Sequence, residues 1–165
     1  MKNLDYNELE KILTLIQANP STTLALFTNK HEKLIEFLYK LSQAKEVDFL
    51  ANITTKELFE KLPKKSYIKY FALQRAKYML NGKFFDYLFV NLSLEESFQE
   101  EFLKRAHSII KNAGLILIFE KKANLRVIDR WYQLLEENYY VATSTIDIDK
   151  ENTLIISRKM HGWGG

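Results

Sequence analysis

Apolar residues along this chain switch repeatedly between helical and extended spacing, and these switches predict alternating helices and strands. In residues 4–18 the apolar positions mostly follow the i, i+3, i+4 spacing of one helical face: Leu4, Leu9, Ile12, Leu13 and Ile16. The pair Asn19-Pro20 is expected to end this helix, because the residue before a proline disfavours helical backbone. Residues 22–28 form an apolar run too short for a helix, which predicts a buried strand.

The same alternation predicts the remaining elements. Strands are expected over residues 47–50, 66–73, 85–92, 115–119, 140–148 and 153–159. Helices are expected between them, and three begin at a capping box, in which a cap residue precedes a glutamate by three positions: Asn29, Thr54 and Ser93. A short helix is expected to run as far as Leu80, before a turn at Asn81-Gly82. Asn112 and Gly114 are expected to mark a helix end.

Strict alternation of helices and strands, followed by two consecutive strands, defines the expected fold. It predicts right-handed βαβ units and a doubly wound three-layer α/β sandwich around a mostly parallel seven-stranded sheet. Residues 149–152 have the character of a hairpin connection, so the last strand is expected to be antiparallel. The sequence contains no linker, repeat or low-complexity stretch, which predicts one domain over 1–165. That domain would start with an N-terminal helix in 1–20 and end with a tail at 160–165.

Composition narrows the class of protein. The 165 residues are 47% hydrophobic and include no cysteine, which excludes a disulfide scaffold, a thiol nucleophile and a cysteine-built zinc site. The sequence has no apolar run of about 18 residues, the length that a membrane-spanning helix needs. The first residues are too polar for a signal peptide. We therefore expect a cytoplasmic protein with no membrane contact.

The basic residues are concentrated in one stretch, although the net charge of +3 is small for a protein that binds phosphates. Between residues 61 and 78 they alternate with aromatic residues: Lys61, Lys64, Lys65, Lys69, Arg75 and Lys77, with Tyr67, Tyr70, Phe71 and Tyr78. One interpretation is a surface that stacks and neutralises single-stranded nucleic acid. The other is a solvated helix end that leads into a buried strand. From the sequence we favour the solvated surface and expect no nucleic-acid partner.

Three local patterns in the second half of the chain resemble a known family. Residues 85–90 (FDYLFV) are similar to the fourth strand of the class I S-adenosylmethionine-dependent methyltransferases. Residues 109–118 (IIKNAGLILI) resemble that family's helix, "LkpGG" turn and fifth strand, and residues 134–140 (LLEENYY) resemble the step before its sixth strand. The resemblance covers residues 22–159 in topology, but the motifs lie within 84–159. It implies a seven-stranded sheet with a reversed last strand and S-adenosylmethionine as cofactor.

Two positions depart from the family's pattern. The family's first strand leads into a glycine-rich loop, of the form D/E-x-G-x-G, which lets the backbone approach the cofactor closely. Here the corresponding residues 26–32 (LFTNKHE) contain no glycine. The family's second strand ends in an acidic residue that holds the ribose hydroxyls, whereas here that strand ends at the neutral Asn52.

Polar residues that follow the apolar strands are the candidate site. Ligands of open α/β sheets bind at the carboxyl ends of the strands, where the strand order reverses. If the family's strand order holds, the cofactor-binding candidates are Thr28, Asn29, Asn52, Gln74 and Asn91. For Asn29 we favour the interpretation as a helix cap, and Asn52 and Asn91 are also suited to shape turns. The resemblance places an acceptor-facing residue after the fourth strand, which makes Asn91 the strongest of these candidates.

Few other residues suggest catalysis, metal binding or self-association. The three histidines, His31, His107 and His161, are not spaced as metal ligands, so we expect no metal site. His31 follows the first strand closely enough for a role in proton transfer to be a hypothesis. Trp163 in the tail is costly to leave in water, which suggests docking on its own domain or on a second copy, as a homodimer or another homo-oligomer.

Two functions from different classes follow from the sequence. In the first, the chain uses S-adenosylmethionine to methylate an unknown acceptor. In the second, it has lost cofactor binding and serves as a binding or scaffolding module with the methyltransferase fold. The complete set of strands is compatible with both, and the missing glycines favour the second. No residue stands out as a catalytic base.

Overall fold

The computed structural model describes residues 4–14, 16, 19, 21–30, 32–78 and 84–160. Its helices are α1 (Tyr6–Leu13), α2 (Glu32–Ala44), α3 (Lys56–Lys61), α4 (Glu96–His107) and α5 (Leu125–Glu137). Its strands are β1 (Thr23–Thr28), β2 (Asp48–Ile53), β3 (Ile68–Tyr70), β4 (Phe85–Asn91), β5 (Ile110–Lys121), β6 (Tyr140–Asp147) and β7 (Asn152–Lys159). His31, the Asn81-Gly82 turn, and the tail residues His161 and Trp163 lie outside the described residues.

The strands form one seven-stranded sheet in the order β3-β2-β1-β4-β5-β7-β6. The pairs from β3 to β5 are parallel, whereas β7 is antiparallel to both β5 and β6. This arrangement confirms the predicted α/β fold, including the antiparallel strand that the C-terminal hairpin places inside the sheet.

Two apolar clusters cover the two faces of the sheet. Alternate residues of a strand point to opposite faces, so Leu24 and Leu26 of β1 belong to one cluster and Ala25 and Phe27 to the other. We call the first the α1–α3 face, because those helices pack on it, and the second the α4–α5 face. Among the described residues, no helix has the length and apolar character needed to span a membrane.

The segment after β2 differs from the prediction. The strand expected over residues 66–73 is only three residues long, and no helix follows it within residues 71–78. Phe71 and Tyr78 instead bury their rings against Phe27 of β1, with ring centroids 4.9 and 5.9 Å away. The Tyr78 hydroxyl donates a hydrogen bond of 2.7 Å to the carbonyl of Leu73. Aromatic burial thus replaces helix formation in this part of the chain.

The segment around Gly114 was also predicted wrongly. The helix expected to reach residue 113 ends at His107, and β5 begins at Ile110. In the β4–β5 pairing, Phe85 lies opposite Ile110 and Tyr87 opposite Leu115, so the intervening residues form a bulge. Ala113 has a φ of 66° in this bulge. Gly114 therefore serves the bulge and does not end a helix.

The helix caps are shifted from the predicted capping boxes. The cap of α3 is Thr55, whose hydroxyl accepts a hydrogen bond from the amide of Leu58, and Thr54 lies one position earlier. The cap position of α4 is Glu95, not Ser93, and its side chain makes no capping bond. Because α2 begins at Glu32, Asn29 lies too early to cap it. The predicted cap position was therefore wrong by one residue at α3 and by two at α4, and of these two helices only α3 has a side-chain cap.

Candidate ligand site at the carboxyl edge of the sheet

The strand order reverses between β1 and β4. From β1 the chain continues outward through β2 to β3, whereas β4 lies on the other side of β1. Parallel α/β sheets bind ligands in the crevice outside the carboxyl ends of the strands at such a point. The predicted site residues at the ends of β1, β2 and β4 therefore lie at the edge where a ligand is expected.

Thr28 and Asn91 lie side by side at this edge. They are register partners in the β1–β4 pairing, and both lie on the α1–α3 face. Both side chains are buried, and the Thr28 hydroxyl accepts a hydrogen bond of 3.1 Å from the amide of Lys30. The Asn91 Nδ2 atom has no hydrogen-bond partner among the described residues.

Asn29 connects the two sides of the crevice. Its Oδ1 atom accepts a hydrogen bond from the Ser93 amide at 3.4 Å, and its Nδ2 atom donates to the Ser93 carbonyl at 3.5 Å. Asn29 follows β1 and Ser93 follows β4. The side chain therefore ties together the two loops between which a ligand would enter.

Asn52 lies on the opposite face from Thr28 and Asn91. It is the register partner of Phe27, whose ring belongs to the α4–α5 face. Asn52 is fully buried, and neither its Oδ1 nor its Nδ2 atom has a hydrogen-bond partner among the described residues. Gln74 is exposed in the segment after β3. The structure thus places Thr28 and Asn91 together and separates both from Asn52 and Gln74.

Backbone hydrogen bonds join the loops that follow β1, β2 and β3. The Thr54 amide donates to the Thr28 carbonyl at 3.0 Å, and the Phe71 amide donates to the Ile53 carbonyl at 2.8 Å. Together with the Asn29–Ser93 contact, these bonds link four loops along the carboxyl edge. We call this set of contacts the loop ties.

Phe27 fills the α4–α5 face below the loop ties. Its ring is fully buried between Phe71, Tyr78 and Phe102, with centroids 4.9, 5.9 and 5.8 Å away. Edge-to-face contacts of this kind are favourable beyond the area that they bury. Burial raises the pKa of Tyr78 to about 12, so the phenol stays neutral in this cluster. The space next to Asn52 is therefore lined by aromatic rings.

The structure adds two charged residues that the sequence reasoning missed. Lys30 is half-buried, and burial lowers its pKa even though the nearby Glu120 carboxylate favours the charged form. Glu120, near the end of β5, accepts hydrogen bonds from Trp131 Nε1 at 3.3 Å and Asn124 Nδ2 at 3.3 Å. Lys30 and Glu120 follow the apolar runs at 22–28 and 115–119, so the criterion applied to the neutral candidates could have identified them.

Comparisons with known proteins identify the fold. No protein-family model matches this chain, and no curated protein matches it. Among solved structures, a SAM-dependent methyltransferase from Aquifex aeolicus is similar over 95% of this chain and 90% of its own, with a TM-score of 0.67 and 15% identity. One from Archaeoglobus fulgidus is similar over 93% and 92%, with a TM-score of 0.65 and 10% identity.

A third match is longer than this chain. The chain covers 52% of the CurJ carbon methyltransferase, with 92% of its own residues matched, a TM-score of 0.62 and 9% identity. These matches confirm that the chain has the fold of the S-adenosylmethionine-dependent methyltransferases, as the motifs in residues 84–159 indicated. At such low identity, the likeness concerns the fold alone.

The residues at the carboxyl edge differ from those that the family resemblance implies for S-adenosylmethionine. The resemblance implies a glycine-rich segment that leaves room for the cofactor, whereas here the corresponding residues 26–32 contain no glycine, and the side chains of Phe27 and Thr28 at the end of β1 are fully buried. Of the loop ties, the hydrogen bonds between Asn29 and Ser93 span the two loops between which the nucleoside would enter. Asn52 has hydrogen-bonding capacity to spare but is enclosed next to Phe27.

Proposed function

We propose that this chain is a binding module with the methyltransferase fold that does not use S-adenosylmethionine. The observation that carries the proposal is the fully buried Phe27 ring below the loop ties, where the family resemblance calls for a glycine-rich loop. To admit the cofactor, the protein would have to break the loop ties and open a packed aromatic cluster. Truncation of a buried phenylalanine typically costs about 3–5 kcal/mol, which indicates how strongly such a cluster is held.

The alternative function is S-adenosylmethionine-dependent methyl transfer, and one observation favours it. Asn52 stands where the family holds the ribose hydroxyls, and its two amide atoms have no partner among the described residues. An unsatisfied buried polar group costs about 1–3 kcal/mol, so a bound hydroxyl would relieve a real penalty. We rank this alternative second, because Phe27 occupies the same face of the sheet beside Asn52.

Thermal unfolding with added ligand tests the proposal. A ligand that binds only the native state at about 100 times its Kd stabilises it by about 2.7 kcal/mol, which raises the Tm. We expect no change in Tm with millimolar S-adenosylmethionine or S-adenosylhomocysteine. A saturable rise in Tm would overturn the proposal and support the alternative.

A matched variant then locates any such binding. If S-adenosylhomocysteine does raise the Tm, the alternative predicts that Asn52→Asp, which restores the family's acidic residue, enlarges the rise. Asn7→Asp makes the same substitution at an exposed position of α1 and is expected to leave the rise unchanged.

A further inference from the structure

We propose that the edge of the sheet at β3 binds single-stranded nucleic acid. We call this surface the basic edge and define it by its exposed cations: Lys61, Lys64, Lys65, Lys69, Arg75 and Lys77. The inference does not depend on whether the carboxyl edge binds a nucleoside cofactor, because four of the six cations, Lys61, Lys64, Lys65 and Lys69, precede β3 or lie within it and so do not belong to the carboxyl edge.

The positive charge of the protein is concentrated at this edge. Residues 56–77 contain seven of the 24 Lys and Arg residues but only two of the 21 Asp and Glu residues. The rest of the chain therefore holds 17 basic and 19 acidic residues and has a net negative charge. A modest overall charge of +3 thus conceals a strongly basic surface on an otherwise acidic protein, and a local field of this kind attracts polyanions.

The cations of the basic edge are available for a partner. All six are exposed, and among the described residues only Lys61 has a carboxylate within 4 Å, that of Glu57 at 3.9 Å. The Arg75 guanidinium lies 4.5 Å from the centre of the Phe71 ring, a contact that leaves its charge in place. On α1, α2 and α4, by contrast, lysines pair with a glutamate three or four residues away: Lys11, Lys40 and Lys104.

A groove with an aromatic wall adjoins the basic edge. It has a volume of about 340 Å³ and lies between α2 and β3. Tyr39 and Tyr67 border it, with their rings stacked at a centroid distance of 3.8 Å and an angle of 10°. Lys65 and the Gln43 amide, which donates to the Tyr39 hydroxyl at 2.7 Å, also line the groove. The groove's carboxylate, that of Glu36, is paired with Lys40 at 2.9 Å.

Cations beside an aromatic wall suit single-stranded nucleic acid best. Phosphates need exposed Lys and Arg, and unpaired bases need flat rings on which to stack. A lipid surface would require an amphipathic helix with a broad apolar face, whereas α3 is only six residues long. An acidic peptide added as a strand would have only the three residues of β3 to pair with. In this proposal, the phosphates of the nucleic acid bind to the basic edge, and one of its bases stacks in the groove.

This structural arrangement changes the interpretation that the sequence favoured. Phe71 and Tyr78 are buried, as expected for a solvated helix end that leads into a buried strand. The cations, however, are exposed at both ends of a short strand at the edge of the sheet, and Tyr39 and Tyr67 border a groove beside them.

Fluorescence anisotropy with the full chain tests the proposal. The probes are labelled oligo(dT) and oligo(U) of about 16 nucleotides, the upper end of the site size of a small single-strand-binding domain. Each neutralised phosphate contributes about −0.7 to the slope of log K against log salt. Replacing Lys64, Lys65 and Lys69 together with alanine is expected to reduce that slope by about 2. The matched control, with alanine at Lys11, Lys104 and Lys122, should leave the slope unchanged.

A second variant separates stacking from charge. Tyr39→Leu keeps an apolar side chain but removes the ring, and it is expected to weaken binding about tenfold with no change in the salt slope, because stacking is not ionic. Thermal melting verifies that each variant is folded. Four results would overturn the proposal: no binding at low salt, a flat salt response, equal loss of slope in the control triple variant, or displacement of the oligonucleotide by polyglutamate at equal charge.

Discussion

Two neighbouring residues determine what the carboxyl edge can do. Phe27 and Asn52 are register partners on one face of the sheet, and both are fully buried. Phe27 makes favourable ring contacts, whereas Asn52 has two polar atoms without a partner among the described residues. Phe27 thus favours a packed core at this position, whereas the adjacent Asn52 favours a bound polar group. In this structure the aromatic packing of Phe27 encloses Asn52.

Replacing Asn52 with leucine tests whether its amide is unsatisfied. Asn52→Leu is nearly the same size and removes the unpaired polar atoms, so we expect it to be neutral or to stabilise the protein by about 1 kcal/mol. Denaturant unfolding measures the change in the free energy of unfolding. The matched control is Asn152→Leu, because Asn152 is equally buried but donates to both carboxylate oxygens of Asp149.

The control is expected to lose about 1–3 kcal/mol, since it leaves the Asp149 carboxylate without those partners. A loss of the same size in Asn52→Leu would contradict our description, because it would mean that the Asn52 amide makes hydrogen bonds within the protein.

At the scale of elements, periodicity predicted most of the fold. The alternation of helices and strands and the final hairpin were confirmed, because hydrophobic spacing reports directly which face of an element is buried. The segment 71–78 was wrong, because its aromatic residues are buried by contacts with Phe27, which lies far away in the sequence. The alternation of Ile68, Tyr70 and Ala72 continues past Tyr70, but the strand does not.

The site was less predictable than the fold. Sequence placed Thr28 and Asn91 at one edge, and the strand register puts them side by side. It could not show that Asn52 points to the other face, because a shift of one residue in the register reverses the direction of every side chain. The hydrogen bonds of Asn29 to Ser93 connect residues 64 positions apart, and no local pattern encodes them.

The β5 bulge supplies a prediction at this scale. A Cβ atom at Gly114 would lie 2.7 Å from Ile110 Cγ2 and 2.9 Å from the Lys111 carbonyl oxygen, so the backbone would have to shift. We expect Gly114→Ala to destabilise the protein by about 1–3 kcal/mol through overpacking. Chemical unfolding of the variant measures this loss.

The neighbouring position provides the control. Ala113 has a φ of 66°, a conformation that glycine adopts without steric cost, so Ala113→Gly is expected to be neutral or stabilising. If Gly114→Ala were tolerated as well as Ala113→Gly, the bulge would not have the tight packing described here.

At the scale of the whole molecule, two edges of the sheet, the carboxyl edge and the edge at β3, differ in hydrogen bonding and in charge. The loops at the carboxyl edge are joined by the loop ties, whereas the β3 edge presents exposed cations, of which only Lys61 has a carboxylate within 4 Å among the described residues, beside an aromatic groove. The edge where the family resemblance implies a nucleoside cofactor is thus joined by hydrogen bonds, and a surface rich in exposed cations lies elsewhere. This separation is the physical basis for proposing a binding module.

Global stability is expected to fall in mild acid because of His107. The residue is buried at the end of α4, with its ring edge-on to Tyr140 at 5.2 Å and Nε2 3.3 Å from the Tyr139 carbonyl oxygen. Burial, and then the charge of Lys159, lower the pKa of His107 in the folded state. The unfolded chain therefore binds a proton at His107 more readily than the folded protein does. The contribution of neutral His107 to stability is fully present above about pH 6.5, the ordinary pKa of histidine, and is lost as the pH falls through the pKa of the folded state.

Unfolding midpoints measured from about pH 8 to about pH 5, the range in which histidine titrates, check this prediction. His107→Gln should flatten the dependence, since the variant side chain cannot be protonated. A wild-type midpoint that is constant over the range, or an unchanged slope in the variant, would contradict the assignment.

Hydrogen exchange at the Thr54 and Phe71 amides tests the closure of the carboxyl edge most directly. These amides donate the hydrogen bonds of the loop ties, to the carbonyls of Thr28 and Ile53. We predict slow exchange that approaches the rate set by global unfolding, with no further protection when S-adenosylhomocysteine is added. Fast exchange at either amide would contradict the closure of the edge, and clear extra protection with the ligand would show that the edge binds a nucleoside.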